Sequence, residues 1–260
     1  MPTRLRVDLA GSHHVVNRGV NRCNVFENNF DKEMFLQIIN KTATIHRVIL
    51  HDYCLMDNHY HLLIETEKEN LSTFMRIINA NYAKYFNKKY QRSGHLWQDR
   101  YKSKFVTSEE YLYVLIRYIE YNPVDAGMTE KVGEYPFTFT HRIFNNLEFY
   151  PCQENSILLR QFKIEMLNDF FDAPISETEV AYLREQEKQK IEKSEEGISV
   201  RRSKKFEEHF YDVSTRLDRN LAIINAYLDG YTQVDIANYL NLSKPLISKV
   251  IKSGDSLTGV

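Results

Sequence analysis

The stretch at residues 48–65, VILHDYCLMDNHYHLLIE, decides the fold of this chain. β-Branched, aromatic and leucine side chains are frequent at positions 48–56 and 60–65, and both segments have the length of a strand. Between them stand Asp57 and Asn58, residue types that favour tight turns because their short polar side chains bond to the nearby backbone. The stretch therefore predicts a β-hairpin.

Segments on either side of the hairpin alternate between strand and helix patterns. Residues 14–18 predict a short strand that ends at Gly19. Apolar side chains recur every three or four positions over 31–47 and 71–90, which is the period of an amphipathic helix. Each of these helices is therefore expected to bury one face.

A further helix is expected to begin at Thr107 or Ser108, which can cap it, and to end at Asn122 because Pro123 follows. The element order is then β-α-β-β-α-(β)-α. It predicts an α+β fold, a ferredoxin-like antiparallel sheet with helices on one face.

Composition restricts the class of protein. The chain has 34 Lys and Arg against 35 Asp and Glu, and the net charge of −1 argues against a uniformly basic nucleic-acid coat. Its three cysteines, Cys23, Cys54 and Cys152, have no CxxC spacing, which fits a reducing compartment. Residues 1–12 lack the apolar stretch of a signal peptide, and the run at 111–116 is too short to span a bilayer. We therefore expect a cytoplasmic protein with no membrane partner.

Two histidines flank Tyr60 in the third predicted strand. Because side chains alternate along a strand, His59 and His61 project from the same face. Two neutral imidazoles at this spacing make half of a divalent-metal site. The alternative is a pair of surface histidines on an exposed strand.

Tyr118 and Asn122 lie four positions apart on the predicted third helix and so share one of its faces. If that helix packs on the sheet, Asn122 can offer an amide oxygen as a third metal ligand, and the Tyr118 phenol can act as a nucleophile on a phosphate. The alternative is a packing tyrosine and a helix C-terminal asparagine.

Four motifs occur in order: HHVVNRG at 13–19, YCLMDNHYHLL at 53–63, GHLWQDRY at 94–101 and RYIEYNPV at 117–124. Together they resemble the single-tyrosine HUH transposases and, among these, the REP-associated tyrosine transposases. The resemblance covers residues 5–145.

The resemblance implies an HUH nuclease fold that nicks and rejoins single-stranded DNA at hairpin or repeat sequences. It implies Mg²⁺ or Mn²⁺ held by His59 and His61, with Asn122 in the place where classical members often have glutamine. Tyr118 would be the nucleophile, leaving a 5′-phosphotyrosine and a free 3′-hydroxyl.

The segment 84–104 is the strongest candidate DNA path, since it contains seven basic residues and one acidic residue, Asp99, with aromatic residues interspersed among them. Cations of this kind contact phosphates while rings stack on unpaired bases. The alternative is a solvated helix end followed by a loop with Trp97 as a core anchor. The candidate DNA contacts are Lys84, Lys88, Lys89, Arg92, His95, Trp97, Arg100, Tyr101, Lys102 and Lys104, joined by Arg18 and Arg22 after the first strand.

Residues 231–251 resemble a helix-turn-helix whose second helix presents Lys244, Ser248 and Lys249 to duplex DNA. The alternative is a small helical bundle for packing or dimerisation.

The predicted domains are an HUH nuclease at 1–145, a connector at 146–217 and the helix-turn-helix domain at 218–260. Within the connector, 157–171 is expected to form one helix and 183–205 an exposed charged helix or linker.

The sequence therefore predicts a metal-dependent enzyme that nicks and rejoins hairpin DNA, acting as a monomer or homodimer. A second hypothesis is a domesticated, catalytically silent DNA-binding regulator. An RNA-binding module is disfavoured, because the strands lack the aromatic pattern of RNA-binding sheets.

Overall fold

A computed structural model describes residues 8–194, 197–202, 206–211, 213–229 and 231–255. The chain divides into two compact units, 1–187 and 188–260, so the predicted connector is shared between them. The ends of the predicted terminal domains, 1–7 and 256–260, lie outside the described residues.

The first unit contains a four-stranded antiparallel sheet in the order β2-β3-β1-β4. This is the ferredoxin-like order, in which β3 lies between β1 and β2. The hairpin predicted at Asp57 and Asn58 is confirmed as the β2–β3 connection. The strands are β1 Gly11–Arg18, β2 Val48–Met56, β3 His59–Thr66 and β4 Lys102–Phe105.

Two helices cover one face of this sheet, α1 Asn29–His46 and α2 Leu71–Lys89. The ring of Phe35 on α1 lies 4.9 Å from that of Tyr60, whose hydroxyl donates to Asn79 Oδ1 on α2 at 2.9 Å. Tyr60 therefore points away from the face of its neighbours His59 and His61.

The third helix, α3 Glu109–Asp125, packs on the opposite face, where its Tyr118 contacts His61. Helices therefore cover both faces, and the expectation of helices on one face was wrong. The physical reason lies in β3, whose Leu62 and Leu63 point to opposite sides and are both fully buried. A sheet with apolar residues on both faces needs cover on both.

α3 also runs through Pro123 to Asp125, so the predicted end at Asn122 was wrong. Proline cannot donate to the carbonyl of Ile119 four residues earlier. The side-chain Nδ2 of Asn122 supplies that bond instead, donating to Tyr118 O at 2.7 Å and to Ile119 O at 3.3 Å. At the other end Ser108 caps the helix by accepting from Tyr111 N.

The remainder of the first unit is helical, and it packs on the same core as the sheet. The single helix predicted at 157–171 is broken, because Phe162 and Lys163 are extended. Phe162 turns its ring towards that of Phe170, at 5.0 Å. The helices are α4 Phe139–Phe144, α5 Ile157–Gln161, α6 Ile164–Phe170 and α7 Glu177–Lys188.

The second unit begins with an antiparallel pair, β5 Gln189–Ser194 and β6 Gly197–Arg202, where the sequence predicted a charged helix or linker. Three helices follow with a core of their own: α8 Arg216–Leu228, α9 Gln233–Leu240 and α10 Lys244–Asp255. No helix in the described part of the chain is long and apolar enough to cross a membrane.

Candidate active site

Four aromatic side chains meet on the face of the sheet that α3 covers. His59 and His61 come from β3, His14 from β1 and Tyr118 from α3. The ring centroids of His59 and His61 are 5.2 Å apart, and those of His14 and His61 are 5.3 Å apart. The ring of Tyr118 lies 5.6 Å from that of His61 and 6.2 Å from that of His14. The structure thus brings the predicted tyrosine and both predicted histidines together.

His14 is the member of this group that the sequence did not single out. In the pairing of β1 with β3, Val16 lies opposite His61, so His14 is two residues away on the same face. His14 Nε2 lies 3.0 Å from His61 Nδ1. The sequence signal for His14 is the alternation of side chains between the two faces of β1. It shows that His14 shares a face with His61 only once the partner strand and its register are known.

The Nδ1 atom of each β3 histidine has a neighbour. His59 Nδ1 donates to Asn58 Oδ1 at 2.6 Å, because a carbonyl oxygen can only accept. His61 Nδ1 donates likewise to His14 Nε2 when His14 carries its own proton on Nδ1. Both Nε2 atoms then keep a lone pair, and neither has a hydrogen-bond partner in the described part of the chain. This is the arrangement of histidines that bind a metal through Nε2.

Burial keeps this group of histidines neutral. It lowers the pKa of His14 from 6.5 to about 4. Burial also lowers the pKa of His61 well below its ordinary value, helped by His14 and His59, and it lowers the pKa of His59, helped by Arg18. The neutral imidazole is the form that ligates metal ions, so the cluster is in its ligating state at neutral pH.

A third ligand would have to come from another residue type. Among the described residues no group of three His, Cys, Asp or Glu could hold a metal ion. Asn122 lies one turn beyond Tyr118, and because its Nδ2 bonds to the helix backbone its Oδ1 is left for another partner. An amide oxygen is a ligand for hard divalent ions, so the donor set of two imidazoles and an amide fits such an ion.

Two buried carboxyl groups, Asp52 of β2 and Glu120 of α3, lie between these two elements, and Glu120 is two residues from Tyr118. Burial and the neighbouring Glu120 raise the pKa of Asp52 well above its ordinary value, and burial raises the pKa of Glu120. Glu120 Oε1 accepts from Thr140 N at 2.9 Å, and its Oε2 accepts from the Thr140 hydroxyl. These bonds join the middle of α3 to the first turn of α4.

Three of the predicted DNA contacts lie on the same face of the sheet as the histidines. Arg18 stands directly opposite His59, and Lys102 and Lys104 of β4 stand opposite Val16 and His14. Directly opposite residues in an antiparallel pair share a face. The structure thus brings these cations to the border of the histidine group.

Other members of the predicted DNA path have roles in the fold. The Lys89 ammonium lies 2.7 Å from Asp31 Oδ1, and this bond raises the pKa of Lys89. Trp97 Nε1 donates to Asn79 O at 3.0 Å, which agrees with the alternative of a core anchor. Tyr101 is buried.

Most of the remaining predicted contacts are exposed. A cavity of about 890 Å³ lies between α2 and the segment 94–101, and His95, Trp97 and Arg100 line it. In the second unit Lys244 and Lys249 are exposed on α10, and Ser248 is half-buried. Exposed side chains also include Lys84, Lys88, Arg92, Lys102, Arg18 and Arg22, and Lys104 is half-buried.

The family model of IS200-like transposases matches residues 10–122. A REP-associated tyrosine transposase of Haemophilus influenzae is 30% identical over 110 residues, which cover 38% of this chain and 61% of the relative. The chain thus spans about three-fifths of the length of that relative.

Two solved structures are also similar. One is a REP-associated tyrosine transposase bound to a REP hairpin, with 18% identity, a TM-score of 0.47 and coverage of 63% of this chain and 96% of the other. The second is a transposase from Deinococcus radiodurans, with 19% identity, a TM-score of 0.34 and coverage of 46% and 96%. Over residues 10–122 this chain is therefore similar to the IS200-like transposases, and the resemblance to REP-associated tyrosine transposases is confirmed.

Proposed function

We propose that this protein is a metal-dependent single-stranded DNA endonuclease and transposase that acts through a 5′-phosphotyrosine on Tyr118. The observation that carries the proposal is the contact of the Tyr118 ring with His61 and His14. This contact brings the proposed nucleophile beside His61, and His61 and its neighbour His59 each keep an Nε2 atom for a metal ion. The match of residues 10–122 to the model of IS200-like transposases supports the same chemistry.

The residues of the site have distinct roles in this reaction. His59, His61 and Asn122 would hold Mg²⁺ or Mn²⁺, which supplies charge neutralisation at the scissile phosphate. The Tyr118 oxygen gives up its proton and forms a bond to phosphorus while the bond from phosphorus to the 3′ oxygen breaks. The leaving oxygen takes up a proton and becomes a free 3′-hydroxyl. Because the phosphodiester energy is kept in the phosphotyrosine, a 3′-hydroxyl can attack it and rejoin strands without ATP.

The DNA would reach this site along a basic border. Arg18, Lys102 and Lys104 share the face of the histidines, and their charges suit the backbone of a single strand. The exposed side chains of His95 and Arg100 beside the 890 Å³ cavity extend the path to the α2 side of the sheet. Since its relative is named for REP elements, we propose hairpin or repeat ends as the substrate, met in the cytoplasm.

The second unit is proposed to bind duplex DNA as a helix-turn-helix. α9 ends at Leu240, its cap Asn241 makes a left-handed turn with a φ of 50°, and α10 then begins at Lys244. The apolar core of this unit leaves Lys244 and Lys249 exposed for a DNA groove. In functional terms the domains would be the nuclease at 1–145, the connector at 146–217 and the duplex-binding domain at 218–260.

The experiment incubates the protein with labelled hairpin oligonucleotides and Mn²⁺ and looks for a covalent protein–DNA band. Tyr118→Phe should abolish nicking and the band while leaving DNA binding intact, because only the attacking oxygen is lost. Tyr113→Phe on the same helix is the matched control and should keep both. Removing the metal with EDTA should abolish the band in the wild type. A covalent band on the Tyr118→Phe variant would sink the assignment of the nucleophile.

The second candidate is a DNA-binding regulator that keeps the fold without cleavage. The engagement of Lys89 and Trp97 by the fold favours it slightly, because they are then less available to a substrate strand. Wild-type protein that binds hairpin DNA with Mn²⁺ present and gives neither nicks nor a covalent band would establish it.

A further inference from the structure

We propose that α7 carries a phosphate-binding arginine, Arg184, into the site of Tyr118. The cavity that these two residues line would take a phosphodiester group of the single strand. This inference rests on the proposed function, because its ligand is the strand that Tyr118 attacks.

α7 is fastened to α3 at several points. Glu179 Oε1 lies 3.0 Å from Arg117 Nε, and the ring of Tyr182 lies 6.4 Å from that of Tyr111. Leu183 is buried in the core of the first unit. The helix is therefore held across α3, with a defined side facing Tyr118.

That side of α7 includes Val180, Leu183 and Arg184, which lie three and four residues apart and so share a face. Together with His14 and Tyr118 they line a cavity of about 240 Å³. Among the described residues that line it, Arg184 is the only one that carries a permanent charge. The cavity thus combines apolar walls with one guanidinium beside the attacking phenol.

The guanidinium of Arg184 has no carboxylate partner among the described residues, and its side chain is exposed. Arg117, on the neighbouring helix, differs: it pairs with Glu179 and donates to the carbonyls of Phe170 and Ala173. The charge of Arg117 is therefore used by the fold, whereas that of Arg184 is available to an anion.

A phosphodiester is the anion that matches this position. The planar guanidinium can donate two hydrogen bonds to the two non-bridging oxygens. Those oxygens lie on the phosphorus that Tyr118 attacks, and fixed donors aimed at them stabilise the transition state. Arg184 neither gains nor loses a proton in this step, so the proton and bond changes of the proposed reaction stay as they are.

The first experiment measures binding without chemistry. In the full-length Tyr118→Phe protein, the affinity for a single-stranded oligonucleotide is measured at several salt concentrations, with and without Arg184→Ala. Loss of one phosphate contact should weaken binding and lower the salt slope by about 0.7. Arg184→Lys should recover part of the affinity. Arg160→Ala, which removes an exposed arginine of α5 outside the cavity, should leave the slope unchanged.

The second experiment measures the covalent band in proteins that keep Tyr118. Arg184→Ala should lower its rate of formation about a hundredfold on a normal phosphodiester. On an oligonucleotide with a neutral methylphosphonate at the scissile position, wild type and variant should differ far less, because the oxygen charge that Arg184 contacts is gone.

Equal salt slopes and equal rates in wild type and Arg184→Ala would overturn the inference and leave α7 as a structural cover. If the wild type itself binds no single strand or forms no covalent band, the proposed function fails, and this inference fails with it. The two failures can therefore be told apart, because the first is observed only with a wild type that binds the single strand and forms the covalent band.

Discussion

His14 is a neutral, buried imidazole, and within the described part of the chain its one hydrogen-bonding contact is with His61. If His14 Nε2 accepts from His61 Nδ1, it fixes the tautomer of His61 and leaves the His61 Nε2 lone pair for the metal. Partners of this kind commonly change metal affinity by about 10- to 100-fold when they are lost.

His14→Phe should therefore weaken Mn²⁺ binding by about 10- to 100-fold, because phenylalanine keeps a planar aromatic ring and lacks the acceptor. His14→Gln, which can accept through its amide oxygen, should restore part of the affinity. Calorimetric titration of Mn²⁺ into the Tyr118→Phe protein measures both. His13→Gln is the control, since His13 bonds to Leu9 O on the other face of the sheet. Equal Mn²⁺ affinity in wild type and His14→Phe would contradict this role.

The sequence predicted the shared face of His59 and His61, since alternation along one strand needs only local spacing. It could not predict His14, because that contact depends on how β1 pairs with a strand 47 residues away. Lys89 shows the same limit. Its place in a basic run indicated a DNA contact, whereas its ammonium pairs with Asp31, 58 residues earlier.

The β2–β3 hairpin was predictable because its turn residues and both of its strands follow one another directly in the sequence. The length of α3 was not, because Pro123 normally ends a helix and the side chain of Asn122 compensates for the missing donor. The strand pair β5–β6 was also missed. Its sequence is rich in charged residues, and the β-branched Ile191 and Val200 that pair across it gave only a weak signal.

The attachment of α7 to α3 gives a prediction at this scale. Arg117 is only 13% exposed in its side chain and joins Glu179 to backbone carbonyls of the segment before α7. Arg117→Ala should lower the free energy of unfolding by about 3 kcal/mol, because it removes several charge-assisted bonds and leaves carbonyls without donors. Glu179→Gln, which keeps the carbonyl contacts, should cost about 1 kcal/mol or less.

Urea unfolding of the full chain measures both variants. Tyr113→Phe, on the same helix, controls for a general sensitivity of α3. A loss for Arg117→Ala no larger than that for Glu179→Gln would mean that the carbonyl contacts contribute little. α7 would then be held by Leu183 and its apolar neighbours alone.

Residues 146–187 complete the apolar core of the first unit. Ser156 Oγ donates to His51 O at 2.6 Å, and Cys152 N donates to Asn40 Oδ1 at 3.2 Å. Each bond joins residues more than 100 positions apart. The sequence predicted a connector in this region, since neither composition nor periodicity reveals contacts between residues so far apart. The net charge of −1 did not reveal the basic border beside the histidines either, because the acidic residues of the chain offset its cations.

The division of the chain into two units predicts that two DNA activities can be separated. The double variant Lys244→Ala and Lys249→Ala should weaken duplex binding and lower its salt slope by about 2, since each lost phosphate contact contributes about 0.9. Its nicking of a single-stranded oligonucleotide should stay at the wild-type rate, because Tyr118 and the histidines belong to the first unit. Gel-shift titrations on duplex DNA and covalent-band assays measure the two activities.

Tyr118→Phe is the reciprocal control for this separation. It should lose the covalent band and keep wild-type duplex affinity, so that each variant removes one activity and spares the other. Duplex affinity that survives the loss of both lysines would remove α10 as the duplex contact and favour the helical bundle as a packing or dimerisation element. A fall in single-strand nicking equal to the fall in duplex binding would instead mean that the two units act on DNA as one.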